Sequence, residues 1–270
     1  MIVSALQMQP ASCNKEKNLE QISQAARSAS ATGANLLVTP EMSVTGYAIW
    51  NDIRRMAEPR DGFISAALQK LTREMNLAIT AGMPELDGGE VFNTAICALP
   101  SGDIHFYRKC HLFGADERAA FHQGAQPSEI FEVGGVKAGL LICYDVEFPE
   151  WTRTLALAGA ELMIVPTALP KSAANERVSR LMIPTRALEN QCTIIYAGLC
   201  GSENALEYQG GTCIAGPGGE DLARAGAGPA LITATIERQE TSGGYGDPYL
   251  NDRRPDLYHA LVNTDSDRDV

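Results

Sequence analysis

The sequence predicts an α/β protein in which two β-sheets lie face to face with helices packed on their outer faces. Short apolar runs typical of buried strands alternate with amphipathic segments typical of helices along the chain. Some predicted helices are separated by two or three consecutive strands, a pattern that a purely parallel sheet with one helix per strand does not produce. A layered α/β sandwich accounts for both observations.

The strands are expected where apolar and β-branched residues cluster between turn signals, at residues 2–8, 35–40, 78–83, 91–98, 103–108, 129–133, 136–142, 161–166, 193–199, 211–215 and 230–236. The helices are expected at 16–32, 62–75, 150–158 and 174–190. In the first helix Leu19, Ile22 and Ala26 recur at helical spacing, and Gly33 is a suitable C-terminal residue. Pro184 is expected to kink the fourth helix or to begin a second segment.

The chain of 270 residues is interpreted as one domain, 1–270, with a tail from about residue 240. Its 45% hydrophobic and 20% charged residues are typical of a globular protein with a sizeable core. No low-complexity linker divides it. The tail is predicted to be mostly extended, and it retains Tyr245, Tyr249, Leu257 and Tyr258, which favours docking on the domain.

The charge and the cysteines restrict the class of function. A net charge of -11 and a pI near 4.9 disfavour binding to nucleic acid or to an anionic membrane, which both need a basic surface. The sequence contains no run of about 18 apolar residues, so no membrane span is expected. The start of the chain is interpreted as a strand rather than a leader. Seven scattered cysteines are typical of a reducing compartment, so we expect a cytoplasmic protein.

Nothing in the sequence predicts a metal or another cofactor. The four histidines lack the spacing of metal ligands, and no Cys-x-x-Cys pair accompanies them. The glycine-rich turn at 215–219 lacks the Lys-Ser/Thr pair of a phosphate-binding loop.

Three predicted strands end in reactive side chains. Glu41 follows strand 35–40, Lys109 follows strand 103–108, and Cys143 follows strand 136–142. Ligand sites form at the carboxyl ends of parallel strands, so we expect the three to meet. Cys143 also precedes a predicted helix start at Pro149, where backbone N–H groups would favour its thiolate. Taken singly, a buried structural cysteine and two solvated surface charges explain the same residues.

Taken together, the three blocks resemble the nitrilase (carbon-nitrogen hydrolase) superfamily. The blocks are Pro40-Glu41, Tyr107-Arg-Lys109-Cys-His-Leu112 and Gly139-Leu-Leu-Ile-Cys-Tyr-Asp-Val-Glu-Phe-Pro-Glu150, and the resemblance extends from Ile2 to Tyr258. It implies an α-β-β-α sandwich that assembles into a homodimer or a larger homo-oligomer.

The resemblance also implies a catalytic triad. Glu41 would act as the base, Lys109 as its electrostatic partner and Cys143 as the nucleophile. A second glutamate beside the lysine corresponds to Glu117, or to Asp116 if the alignment shifts by one residue.

The segment after the cysteine bears on the substrate. Tyr144-Asp145 resembles the amidase branch, and Glu147 occupies a region where carbamoylases and some ω-amidases carry arginine or histidine. A carboxylate there would repel an anionic substrate and tolerate a neutral or cationic one. The residues expected to line the pocket are Tyr47, Trp50, Tyr144, Glu147, Thr167 and Ala168.

The sequence therefore predicts a thiol amidohydrolase that cleaves a small amide, such as an amino-acid amide or an aliphatic amide. Hydrolysis of nitriles or of N-carbamoyl compounds by the same triad stays open. A catalytically silent binding protein stays open too, as does a papain-like Cys-His hydrolase in which His111 would be the base.

Overall fold

The computed structural model describes residues 1–237 and 248–261. Its first six-stranded sheet contains β1 (Ile2–Gln7), β2 (Leu36–Val38), β3 (Ala78–Asp87), β4 (Glu90–Ala98), β5 (Ile104–Arg108) and β14 (Ala230–Thr235). The second contains β6 (Phe131–Val133), β7 (Val136–Leu140), β8 (Leu162–Thr167), β9 (Thr193–Gly198), β12 (Cys213–Ala215) and β13 (Asp221–Arg224). A separate hairpin pairs β10 (Ser202–Glu203) with β11 (Leu206–Glu207).

The helices are α1 (Lys15–Ala31), α2 (Ile53–Met56), α3 (Phe63–Met75), α4 (Gly114–Ala120), α5 (Pro149–Leu157), α6 (Ile183–Asn190) and α7 (Pro248–Asn251). Helix α1 packs on β1, β2 and β14, and α3 packs on β3 and β4. Helix α6 packs on β9 and β12 and contacts α5. Strands β2 and β3 face β8 and β9 across the interior. The layers are therefore helices, sheet, sheet, helices, and the predicted α-β-β-α sandwich is confirmed.

Strand direction explains why the reactive strand ends meet. The first sheet has the order β14-β1-β2-β3-β4-β5, with β1, β2 and β3 parallel. Because β4 is antiparallel to both β3 and β5, β5 runs in the same direction as β2, so both strands end at the same edge. The second sheet has the order β13-β12-β9-β8-β7-β6 and a parallel centre of β7, β8 and β9.

Some elements differ from the prediction. Segment 174–190 consists of a π-helical turn at Val178–Met182 followed by α6, whose first turn holds Pro184 as expected. Helix α4 was missed because it has only 7 residues. Strand β13 was missed because its four residues include Asp221 and Arg224, which interrupt any apolar run.

Contacts divide the chain into two compact units, Met1–Gln239 and Glu240–Val270. The described part of the second unit contains α7 and 3-10 turns at Pro255–Leu257 and His259–Leu261. Over these residues the chain forms short helical turns, which carry no periodic signal in the sequence because they are shorter than one amphipathic repeat. A mostly extended tail from about residue 240 stays a prediction. Tyr245 lies outside the described residues, and one domain over 1–270 stays a prediction.

Within residues 1–237 and 248–261, none of the helices combines the length and the apolar composition that crossing a bilayer requires.

Candidate active site

Glu41 is buried in the turn that follows β2, with both carboxylate oxygens engaged. Its Oε1 accepts hydrogen bonds from Lys109 Nζ (2.8 Å) and Asn93 Nδ2 (2.7 Å). Its Oε2 accepts one from the backbone N–H of Ala168 (2.8 Å), directly after β8. Glu41 therefore connects the first sheet to the second.

This position depends on a close approach between β3 and the turn. A Cβ atom at Gly82 would lie 2.1 Å from the backbone nitrogen of Met42 and 2.8 Å from Cα of Glu41. Any side chain at Gly82 would therefore displace the carboxylate.

Lys109 follows β5 and is fully buried between two carboxylates. Its Nζ donates to Glu41 Oε1 (2.8 Å) and to Glu117 Oε1 (2.7 Å). Burial by itself lowers the pKa of the Lys109 ammonium, but Glu41 and Glu117 outweigh burial and raise that pKa above its ordinary value. Lys109 is therefore a permanent positive charge at neutral pH.

Glu117 rather than Asp116 lies beside the lysine. Glu117 is buried on α4, and its Oε1 also accepts a hydrogen bond from Tyr47 Oη (2.6 Å). Its Oε2 accepts the backbone N–H of Phe113 (2.7 Å). Asp116 is exposed, so the structure resolves the choice that the sequence left open.

Cys143 lies at a strained bend between β7 and α5. Its φ of 47° is in the left-handed region, which non-glycine residues adopt rarely and mostly at functional sites. It begins a 3-10 turn over Cys143–Glu147 and is 5% exposed. The charged groups acting on its thiol are Glu41, Lys109 and Glu117, so the structure brings the four predicted residues together.

The expectation of a stabilised thiolate is wrong. Burial raises the pKa of the Cys143 thiol well above its ordinary value, and the negative charges of Glu41 and Glu117 raise it further. Lys109 and a hydrogen bond from the Ala168 backbone oppose the rise without cancelling it. The resting group is a thiol, and it needs a base to remove its proton.

Glu41 has the properties of that base. Burial raises the pKa of its carboxyl above the ordinary glutamate value, Lys109 opposes the rise, and Glu117 reinforces it. A base with a raised pKa holds a transferred proton more readily than an ordinary glutamate.

A buried aspartate, whose role the sequence did not reveal, links the lysine segment to the cysteine turn. Asp145 Oδ1 lies 2.9 Å from His111 N and 2.7 Å from His111 Nδ1. Its Oδ2 accepts hydrogen bonds from Tyr107 Oη (2.8 Å) and from Ile142 N (3.0 Å). These bonds fix the residues on either side of Lys109 relative to the residue before Cys143.

This arrangement disfavours a papain-like Cys-His hydrolase. The His111 ring is bound to Asp145 and stacks on Phe148 with ring centroids 4.1 Å apart. The groups that act on the Cys143 thiol are instead carboxylates and the lysine.

The residues predicted to line the pocket fall into two groups. Thr167 ends β8, and Ala168 follows it beside Glu41. Tyr144 makes edge contacts with Phe113 and Phe148, with ring centroids 5.2 and 4.9 Å apart. Tyr47 and Trp50 form the second group. They line a pocket of about 320 Å³ together with Phe113, Asp116, Pro170 and Leu206, among other residues.

Glu147 is half-buried, and its carboxylate has no hydrogen bond or ion pair with any residue that the structure describes. Burial raises the pKa of Glu147, while Lys109 and Arg186 oppose the rise. Arg186 donates to the backbone oxygens of Val146 (3.0 Å) and Glu147 (2.8 Å) rather than to the carboxylate. The side chain is therefore available to a ligand near Lys109.

Sequence reasoning missed Tyr196, which lies inside the apolar strand β9. Its side chain is fully buried, and the side chain of Thr167 is one of the groups that act on its hydroxyl. Burial raises the pKa of Tyr196, and the neighbouring Cys143 and Glu147 contribute to the rise. A tyrosine in a buried strand gives no sequence signal that distinguishes it from core packing.

Over residues 1–237 and 248–261, His, Cys, Asp and Glu side chains form no group of three that could hold a metal ion. The seven cysteines are all described, and all are free thiols.

Comparison with known proteins identifies relatives over almost the whole chain. The family model described as carbon-nitrogen hydrolase matches residues 2–243. A protein named "Hydrolase in pqqF 5'region" from Pseudomonas protegens is 39% identical over 97% of this chain and 92% of its own. The 2-oxoglutaramate amidase of Bacillus subtilis is 32% identical over 83% of this chain and 87% of its own.

Among solved structures, the amidase of Nesterenkonia sp. AN1 is similar. A double mutant of it in complex with acrylamide has a TM-score of 0.89 and 33% identity, covering 97% of each chain. In another structure of that amidase, the acetamide moiety of fluoroacetamide is covalently added at its active-site cysteine.

Proposed function

Because the chain belongs to the nitrilase (carbon-nitrogen hydrolase) superfamily, we propose that it is an amidase that hydrolyses a small carboxamide to a carboxylate and ammonia. The observation that carries the proposal is the buried network in which Lys109 joins Glu41 and Glu117 beside the Cys143 thiol. A catalytically silent binding protein would have no need to bury three ionisable groups against a thiol, since burying charge is costly.

The reaction begins with the thiol. As Cys143 Sγ attacks the amide carbonyl carbon, its proton passes to Glu41, because the raised pKa of the thiol leaves little free thiolate beforehand. Glu41 then donates this proton to the amide nitrogen, the C–N bond breaks, and ammonia leaves. The acyl group remains on Cys143 as a thioester.

Water completes the reaction. Glu41, again ionised, takes a proton from a water molecule that attacks the thioester carbonyl. The C–S bond breaks, and Glu41 returns the proton to the sulfur. The product leaves as the carboxylic acid, which gives its remaining proton to solvent to become the carboxylate.

Lys109 and the backbone N–H of Tyr144 stabilise the oxyanion that forms in both steps. Tyr144 is the second residue of the 3-10 turn, where N–H groups are not needed for hydrogen bonds within the turn. Loss of one oxyanion donor typically raises the barrier by about 2.7–4 kcal/mol. Glu117 holds the ammonium in place, since it accepts a hydrogen bond from Nζ at 2.7 Å.

Glu147 supports a preference for neutral or cationic amides. Its carboxylate has no partner in the described chain and lies near enough to Lys109 to interact with it. An anionic acyl group in the same space would be repelled, and such like-charge contacts cost several kcal/mol when desolvated.

A panel of amides tests the proposal. We expect ammonia release from prolinamide and aliphatic amides to have a higher kcat/KM than release from the anionic amides succinamate and 2-oxoglutaramate. Glu147→Gln should reduce this difference by at least about tenfold, equivalent to about 1.4 kcal/mol, because it removes the repelling charge. Glu150→Gln, an exposed carboxylate three residues away, is the matched control and should leave the ratio unchanged. Faster turnover of nitriles or N-carbamoyl compounds would favour those alternatives, and a preference for succinamate would contradict the role of Glu147.

The pH profile tests the base. Glu41 acts only when ionised, so activity should be lost as the pH falls through its raised pKa, and the acid limb of kcat/KM should lie above the ordinary value of about 4.3. Glu117→Gln removes a negative charge beside Glu41 and should move the limb to lower pH. An unmoved or higher limb in that variant would contradict the assignment.

We also propose that the chain forms a homodimer through α5 and the 178–190 segment. Leu157, Leu181 and Leu188 are exposed on these two packed elements, which supports a contact with a second copy. Light scattering should give a dimer mass for the wild type and a monomer mass for Leu181→Glu, and a monomeric wild type would contradict the proposal.

A further inference from the structure

A second buried carboxylate lies outside the predicted site. Glu203, on the β10–β11 hairpin, is 2% exposed. Its Oε2 accepts hydrogen bonds from the backbone N–H groups of Tyr47 (2.9 Å) and Ala48 (2.8 Å) and from the Tyr208 hydroxyl. Its Oε1 accepts one from Ser12 Oγ (3.1 Å). All four donors are neutral.

This arrangement fixes the 46–48 segment on the hairpin. A buried charge is tolerated only when it is well hydrogen-bonded, and hydrogen bonds to a carboxylate are stronger than those between neutral groups. Gly46 has a φ of 90°, and a Cβ there would lie 2.0 Å from Glu203 Oε1, so the contact requires glycine. Asn204 adds a hydrogen bond from Nδ2 to the backbone oxygen of Ala48 (2.7 Å).

The same segment reaches the catalytic network. The Tyr47 backbone is bound to Glu203, and the Tyr47 hydroxyl donates to Glu117 Oε1 at 2.6 Å. That oxygen also accepts the Lys109 ammonium at 2.7 Å. One continuous set of hydrogen bonds therefore connects the hairpin to Lys109.

We propose that Glu203 is a positioning residue for the reaction, holding Tyr47 so that its hydroxyl keeps Glu117 and Lys109 in the orientation that catalysis needs. The inference rests on the proposed amidase function for its rate measurements. It assigns Glu203 no contact with the substrate.

Two conservative variants separate position from charge. Glu203→Gln keeps the length of the side chain, with its carbonyl oxygen able to accept the three donors now on Oε2 and its amide able to donate to Ser12. Glu203→Asp keeps the charge but withdraws the carboxylate by one methylene. We expect Glu203→Asp to lower kcat about ten- to a hundredfold, the scale of a small misplacement of catalytic groups, and Glu203→Gln to recover most of that loss. The reverse order would overturn the proposal.

A double-mutant cycle tests whether Glu203 acts through Tyr47. Tyr47→Phe removes the hydroxyl that binds Glu117, so Glu203→Asp should cause little further loss of kcat in that background. Multiplied losses in the double variant would mean that Glu203 acts by another route. Glu207→Ala changes an exposed residue of the same hairpin and should keep wild-type kcat. A cooperative thermal unfolding transition in each variant should show that it is folded.

A second readout does not depend on amide hydrolysis. Iodoacetamide alkylation of Cys143, followed by peptide mass spectrometry across pH, reports how Glu117 and Lys109 act on the thiol. Glu203→Asp and Tyr47→Phe should change this pH profile in the same way, and Glu203→Gln should not. If the wild type hydrolyses no amide, the proposed function fails while this measurement still decides the role of Glu203. Profiles in the two variants that match the wild type would overturn it.

Discussion

Replacing Cys143 with alanine is expected to lower kcat for amide hydrolysis by at least about 10⁴-fold, the scale seen when a catalytic nucleophile is removed. Without the sulfur no thioester can form, and the remaining groups can only direct water at a poor electrophile. Folding should be retained, because alanine fits the space of a thiol that forms no structural bond beyond the Ala168 contact. Steady-state ammonia release and far-UV circular dichroism measure the two effects.

Cys213→Ala is the matched control. Cys213 is also fully buried, on β12 of the same sheet, and its sulfur contacts the backbone oxygen of Ser179 rather than the catalytic groups. It should keep wild-type turnover.

Acid quenching during turnover provides a direct test of the thioester. Intact-protein mass spectrometry should detect the acyl adduct on the wild type and on Cys213→Ala, and none on Cys143→Ala. Turnover by a folded Cys143→Ala enzyme above about one per cent of the wild-type rate would contradict the nucleophile assignment.

The position of the cysteine could be predicted from the sequence, but its ionisation could not. The apolar run 136–142 predicts a buried strand that ends at Cys143, and the structure places the residue just beyond β7. Its raised pKa arises from burial and from Glu41, a residue far away in the chain. The nearby helix start therefore predicted the wrong direction for the pKa shift of Cys143. The local backbone dipoles lower that pKa by less than desolvation and the two carboxylates raise it.

The same distinction applies to the rest of the site. Glu41 and Lys109 end predicted strands, so local patterns identify them. The order of strands that brings these ends together is fixed by pairings across two sheets, which no local window contains.

Residues that act through distant partners had no local signal. Asn93 lies 52 residues from Glu41, and Glu203 lies 155 residues from Ala48. Glu117 was found only by family resemblance, because the short helix that carries it has no periodicity of its own.

Removing Lys109 from its buried network should destabilise the fold far more than removing one partner of a surface ion pair would. Glu41, Lys109 and Glu117 are each about 1% exposed or less, so neither water nor salt can replace the ammonium. Removing one partner of a buried ion pair leaves the other charge buried without compensation. This destabilises the fold by more than the intact pair stabilised it. The lysine therefore contributes to folding as well as to catalysis.

Lys109→Met is accordingly expected to abolish turnover and to lower the free energy of unfolding by about 3–5 kcal/mol at neutral pH. Methionine fills similar space, so the loss comes from two adjacent carboxylates left without a cation. Their mutual repulsion should also raise the pKa of Glu41, so the destabilisation should shrink as the pH falls and the carboxyls become protonated. Urea unfolding at several pH values measures this trend.

The double variant Lys109→Met/Glu117→Gln separates the two roles of the lysine. It leaves Glu41 as the single carboxylate of this network and should recover part of the lost stability, while hydrolysis stays absent because the oxyanion has lost its ammonium. His111→Ala removes the ring contact with Asp145 but keeps the hydrogen bond from the His111 backbone N–H to that carboxylate, so it should retain most of the turnover. Activity in Lys109→Met together with its loss in His111→Ala would replace the Glu-Lys-Cys mechanism with a Cys-His one, and equal stability of Lys109→Met and the wild type would contradict the charge argument.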